Sequence, residues 1–176
     1  MAATLALVAI ACRGEHPIDS APAPADDHAQ EPAIAQDEKS LRDAFEKTQR
    51  AASAATTITL YEVANAFDKD FASLEANPHV EKYPVRKRVV LSRAAAAPLV
   101  ATLTTRANYF PPGDGWTCLF DPHHVLELHG ASTIRVVICI HCGDVQFREG
   151  NTTLAMHSVL QNANGQLTNT LNNLIH

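Results

Sequence analysis

Apolar positions along this chain change their spacing from stretch to stretch, and the spacing predicts the elements. Leu41, Ala44, Phe45, Thr48 and Ala52 recur at three- and four-residue intervals. That interval puts them on one face of a helix over residues 41–55, with Ser40 as its N-cap. Residues 58–63 are rich in β-branched and aromatic side chains and read as a strand. Residues 66–76, with Phe67, Phe71 and Leu74, read as a short helix or turn that Asn77-Pro78 stops. A second strand is expected over 85–92. A second helix follows over 94–106, with Leu99, Val100 and Leu103 inward and Pro98 in its first turn, where a missing N–H is harmless.

Past a proline- and glycine-rich loop over 108–116, the pattern becomes that of short strands. Residues 117–120 and 125–129 flank Asp121-Pro122-His123-His124, and 129–132 make a turn. The β-branched run 133–140 is expected to be the central strand, with 145–148 returning beside it. Leu167, Leu171, Leu174 and Ile175 set the amphipathic period of a last helix over 163–175. Helices flanking a mostly antiparallel sheet make an α+β domain, and 39–176 suits one such domain.

Composition separates that domain from what precedes it. Residues 13–38 are acidic and rich in proline and alanine, with seven acidic side chains, one basic and no aromatic. Such a segment buries too little apolar surface to offset its chain entropy and reads as a disordered tether. Without it the domain keeps 13 of the 14 basic and 12 of the 19 acidic side chains. A near-neutral domain lacks the basic footprint that phosphate backbones demand, which argues against nucleic acid as a partner. The dense basic run Arg86-Lys87-Arg88 reads as a solvated strand edge guarded against pairing.

Residues 1–11 are uncharged and mostly apolar, too short to span a bilayer but suited to the apolar core of an export signal. Ala9-Ile10-Ala11-Cys12 resembles a bacterial lipobox, in which the cysteine is lipidated. The resemblance implies a signal segment over 1–12, a lipid anchor at Cys12 holding the chain to a membrane, and a place in the bacterial cell envelope, lipid-anchored or secreted. In that oxidising compartment three further cysteines remain, an odd number.

Candidate chemistry gathers at those three. Cys139-Ile140-His141-Cys142-Gly143 can turn at the motif, Gly143 taking a positive φ, so that residues 144–147 return as a hairpin strand. Cys118 and one imidazole, His124 first and His123 second, would complete a three-sulfur, one-nitrogen set suited to zinc, with Asp121 orienting the ring. A disulfide from Cys118 to Cys139 or Cys142 fits an exported chain equally well, and buried reduced thiols are a third state. A redox-active Cys139/Cys142 pair is less favoured, because reactive pairs sit at helix N-termini and this one ends a strand. His129 and His141 read as ordinary histidines. An Asp-His-Cys catalytic site has little to support it, and no catalytic residue is assigned.

Cys118-x-Phe120-x-Pro122-His123-His124 followed by Ile138-Cys139-x-x-Cys142 resembles a family of small bacterial secreted proteins and lipoproteins. In this chain Val125 stands where that family has glycine, and Ile140 where it has an aromatic residue. The resemblance implies a shared site at Cys118, His124, Cys139 and Cys142 without implying an activity. The function expected is that of a non-enzymatic envelope lipoprotein whose Cys/His cluster is a structural metal site or disulfide staple. The alternative is a periplasmic protein that handles zinc or copper, or exchanges thiols.

Overall fold

Leu41, Ala44, Phe45 and Thr48 are all buried, as their helical spacing requires, and the helix they belong to is the first layer of the domain. The computed structural model describes residues 27–65, 67–111 and 119–176. Three helices, α1 (Asp27–Ala54), α2 (Arg93–Leu103) and α3 (Gln161–Ile175), accompany seven strands. The strands are β1 (Thr57–Val63), β2 (His79–Val80), β3 (Tyr83–Leu91), β4 (His124–His129), β5 (Thr133–Cys139), β6 (Asp144–Glu149) and β7 (Thr152–Ser158). They form one sheet in the order β2-β3-β1-β4-β5-β6-β7, every pairing antiparallel. The domain is α+β, with the sheet curled into a half-barrel.

Alternation along the strands sends two sets of side chains in opposite directions. Ile58, Leu60, Leu126, Leu128, Val136 and Phe147 join the helices in the main core. Phe147 is the hub of that core: its ring packs edge-on to Phe45 at 5.4 Å and lies 6.5 Å from Tyr109. On the reverse face Val63, Val80, Val125 and Val137 form a second, smaller cluster with Tyr61, Tyr83, Val85 and Phe120 around it. Glu81, in the turn between β2 and β3, reaches across this face to Arg148 on β6, Arg148 Nη1 donating to its carboxylate at 2.6 Å. β3 and β6 are four strand spacings apart, roughly 19 Å in a flat sheet. The contact exists because the sheet curls.

Several expectations shift. Ser40 does not cap α1; it lies inside the helix and donates its hydroxyl to the Gln36 carbonyl at 2.9 Å. The helix instead runs back to Asp27, so it takes in the last residues of the acidic stretch. Glu38 accepts from Arg106 Nε at 2.8 Å and Asp37 lies 3.1 Å from His157. The rest of the expected tether and the signal segment, residues 1–26, lie outside the described residues.

α2 starts five residues before Pro98, because Ser92 accepts from the Ala95 N–H at 3.1 Å and caps it there. Pro98 therefore sits inside the helix. β4, not β5, is central. Phe67 is solvent-exposed and not packed inward. β2 and β7 were not expected: β2 has two residues, and TTLAMHS buries only Ala155 and His157. Arg86 is no free edge charge; it donates to Asp68 at 2.9 Å and to Asp70, which ties the Phe71–Leu74 turn to β3.

Phe147→Ala removes the ring that both aromatic neighbours rest on and leaves a cavity between α1 and the sheet. It is expected to lower unfolding free energy by about 3–5 kcal/mol in urea titrations, with the denaturant slope preserved.

Candidate functional site

The β5–β6 hairpin carries the sulfur chemistry. Its register pairs Cys139 with Asp144, leaving residues 140–143 as the turn, and Gly143 takes a φ of +70° there. A side chain at that φ would press its Cβ on the backbone, so glycine fits the turn as expected. The turn brings the Cα atoms of Cys139 and Cys142 to 5.6 Å, and the two are joined in a disulfide. Asn164, in the first turn of α3, donates its amide to the Ile140 carbonyl at 2.9 Å, and the Val159 N–H donates to Gly143 at 2.7 Å. The backbone of the turn that carries the disulfide is thus tied to α3 and to the segment before it. Cys142 Sγ rests 3.8 Å from the Leu119 carbonyl oxygen.

This pairing corrects the expected one, in which Cys118 bridged to Cys139 or Cys142. The turn shortens the distance between the two hairpin sulfurs to bonding range, and the bond uses both. Cys118 itself, with the rest of 112–118, lies outside the described residues. Cys139 and Cys142, so bonded, supply no thiolates to a metal. His124 does not stand with them: alternation puts it on the core face with Leu126 and Leu128, whereas Cys139 points away from that face. Among the described residues no group of three or more His, Cys, Asp or Glu is placed to hold a metal ion.

What the structure does bring together is a histidine pair. The rings of His123 and His141 meet edge to face at 4.3 Å, and the Asn65 amide donates to His123 Nε2 at 3.1 Å. Burial, reinforced by His141, holds the His123 ring below the usual imidazole range, with Asp121 and Asp68 opposing. Burial, with His123 and His176 adding to it, pushes His124 down to about 4. Both are neutral imidazoles at pH 7.

Sequence reasoning overlooked a second constellation, on the face opposite the helices. Glu127 is only 5% exposed. It accepts from Arg135 Nε at 2.6 Å and from the Tyr61 hydroxyl at 3.2 Å, and lies 2.6 Å from His129 Nε2. Burial works against its ionisation, but Arg135 and His129 outweigh that and hold the carboxyl below its ordinary range. Arg135 and Arg148 are direct register partners on β5 and β6, a like-charge pair that would repel. Glu81 sits against both, at 3.5 Å from Arg135 and 2.6 Å from Arg148. It does so in a left-handed backbone conformation, φ +56°. The signal was present as single charges, Glu127 and Arg135, placed inside otherwise apolar strand patterns.

Two outcomes follow. A Cys139→Ser/Cys142→Ser double variant is expected to lose about 2 kcal/mol, the chain-entropy value for so small a loop, whereas Cys118→Ser leaves the disulfide intact by non-reducing peptide mapping. Folding lowers the His124 pKa from 6.5 to about 4, so between those values the unfolded chain takes up the proton that the folded chain refuses. The stability tied to neutral His124 is complete above about pH 6.5 and is lost as pH falls to about 4, by on the order of 2–3 kcal/mol. His124→Leu should flatten that part of the stability–pH curve, measured by denaturation at several pH values.

Neither known family models, nor curated proteins, nor solved structures include any that match this chain.

Proposed function

We propose that this chain is a non-enzymatic lipoprotein of the bacterial cell envelope, anchored by lipid at Cys12 and stapled at one end of its half-barrel by the Cys139–Cys142 disulfide. The bonded pair is the observation that carries this reading. Disulfides persist in oxidising compartments, which is where a lipobox-bearing chain is delivered. An apolar run ending at Cys12 followed by an acidic, proline-rich segment has the makeup of an anchor and its spacer. The clamp on the hairpin turn, with Asn164 and Val159 holding its backbone, is the setting of a structural bond.

A second reading is thiol exchange, favoured by one feature: the two cysteines close a four-residue Cys-x-x-Cys loop. Equilibration with glutathione buffers separates the two. A structural staple has a potential below about −300 mV, and a value near −200 mV would move the assignment to exchange.

Mass spectrometry of the mature protein from a bacterial host is expected to find a diacylglyceryl-modified Cys12 at the N-terminus and one free thiol under denaturing conditions, that of Cys118. An unmodified Cys12 would remove the anchor, and stoichiometric zinc on elemental analysis would replace the staple by a metal site.

A further inference from the structure

We propose that the face of the sheet opposite the helices binds a small organic anion with an apolar, aromatic-sized body. A cavity of about 450 Å³ opens there between the β2–β3 turn and strands β5 and β6, within the range of small-molecule sites. Tyr83, Phe120 and Val137 supply apolar walls, and Lys82, Gln146, Glu81 and Arg148 supply polar atoms. The apolar side chains form one part of the wall and the charged and amide groups the rest, so a ligand with one apolar and one charged end fits it.

The charges on its walls set the sign of the ligand: two cations, Arg148 and Lys82, against one carboxylate, Glu81. Arg148 donates Nη1 to Glu81 and Nη2 to the Asn151 carbonyl, and among the described residues its buried Nε and the buried Glu81 Oε1 have no hydrogen-bond partner. Glu81 is itself set between the guanidinium groups of Arg135 and Arg148, so its charge is already countered and the lining stays cationic. Lys82, exposed at the rim with its ammonium 5.5 Å from the Tyr83 ring centre, adds a second cation. Burial, with Asp121 and Glu81 nearby, keeps the Tyr83 hydroxyl protonated and hence a donor.

Glu81 holds all this in place. A non-glycine residue at φ +56° is in a sparsely populated conformation, and such strain persists where the surroundings over-determine it, often at ligand sites. Here the carboxylate is set between Arg135 and Arg148, which fixes Arg148 at the wall of the cavity. The anion is recognised by Arg148 and Lys82, and its body by Tyr83, Phe120 and Val137. None of this depends on the lipid anchor or on the state of the disulfide.

The test is a ¹⁵N NMR titration of the full chain with 1-naphthoate and, separately, with its neutral counterpart naphthalene-1-carboxamide. Saturable shifts are expected at residues 82, 83, 120, 146 and 148, with the carboxamide at least about tenfold weaker. Arg148→Gln should weaken naphthoate by about tenfold and the carboxamide little. Lys82→Ala, on the surface and outside the ion-pair network, should weaken naphthoate by about threefold, and it carries the charge test if Arg148→Gln unfolds. Gln146→Trp, which fills the space from a strand position, should abolish both. Equal affinities for acid and amide would overturn the anionic assignment, and absence of saturable shifts at these residues up to several millimolar would overturn the site.

Discussion

Every residue of β4 from His124 to Leu128 is buried, so the middle of the sheet must be covered on both sides, and this requirement organises the fold. Helices α1, α2 and α3 cover one side with aromatic and aliphatic side chains. No further helix is available among the described residues for the other. The sheet covers it by curling, and the β2–β3 turn comes to lie over β5 and β6. A strand buried on both faces reads as a near-continuous apolar run, and Val125-Leu126-Glu127-Leu128 fits apart from its one carboxylate.

That carboxylate shows how the two covers differ. The helix side is closed by packing, which tolerates many combinations of shape. The reverse side adds to its small valine cluster a row of alternating charges: Glu127 against Arg135, and Glu81 against Arg135 and Arg148. Buried ion pairs add little net stability over apolar packing, but removing one partner leaves the others uncompensated. Such a ladder accepts one register only, because a slip by one residue would turn each charge to the apolar face. The reverse face is therefore fixed in geometry even where it is not filled.

Much of this was legible in the chain. The α+β class, the helical face through Leu41 and Phe45, the hairpin after Cys142 and the positive φ of Gly143 all follow from local spacing and turn chemistry. What stayed hidden was long-range. The extension of α1 to Asp27 rests on a region whose composition argues for disorder, with Glu38 and Asp37 finding partners on residues 106 and 157. The choice of disulfide partner depended on how sharply the chain turned between Cys139 and Cys142, and faces of a strand are invisible where a turn begins. β7 escaped notice because its buried positions hold alanine and histidine. Glu81 gave no local sign at all; its role exists only because a curled sheet brings residues 81, 135 and 148 together.

The pairing of β1 with β4 has a kinetic meaning. Strands β4 to β7 follow one another through short turns, and β1 and β3 are joined by residues 64–82, which hold the Phe71–Leu74 turn and β2. The join between these two local units, Thr57 to His129 through Glu62 to His124, must close over residues 64–123. Loop-closure entropy grows as the logarithm of length, so this closure costs roughly 2 kcal/mol more than a hairpin turn of a few residues. The β1–β4 seam thus concentrates the topological penalty of the fold. Two more locally paired units, β1 with β3 and β4 with β5 to β7, are thus joined along a line that runs through the centre of the finished sheet.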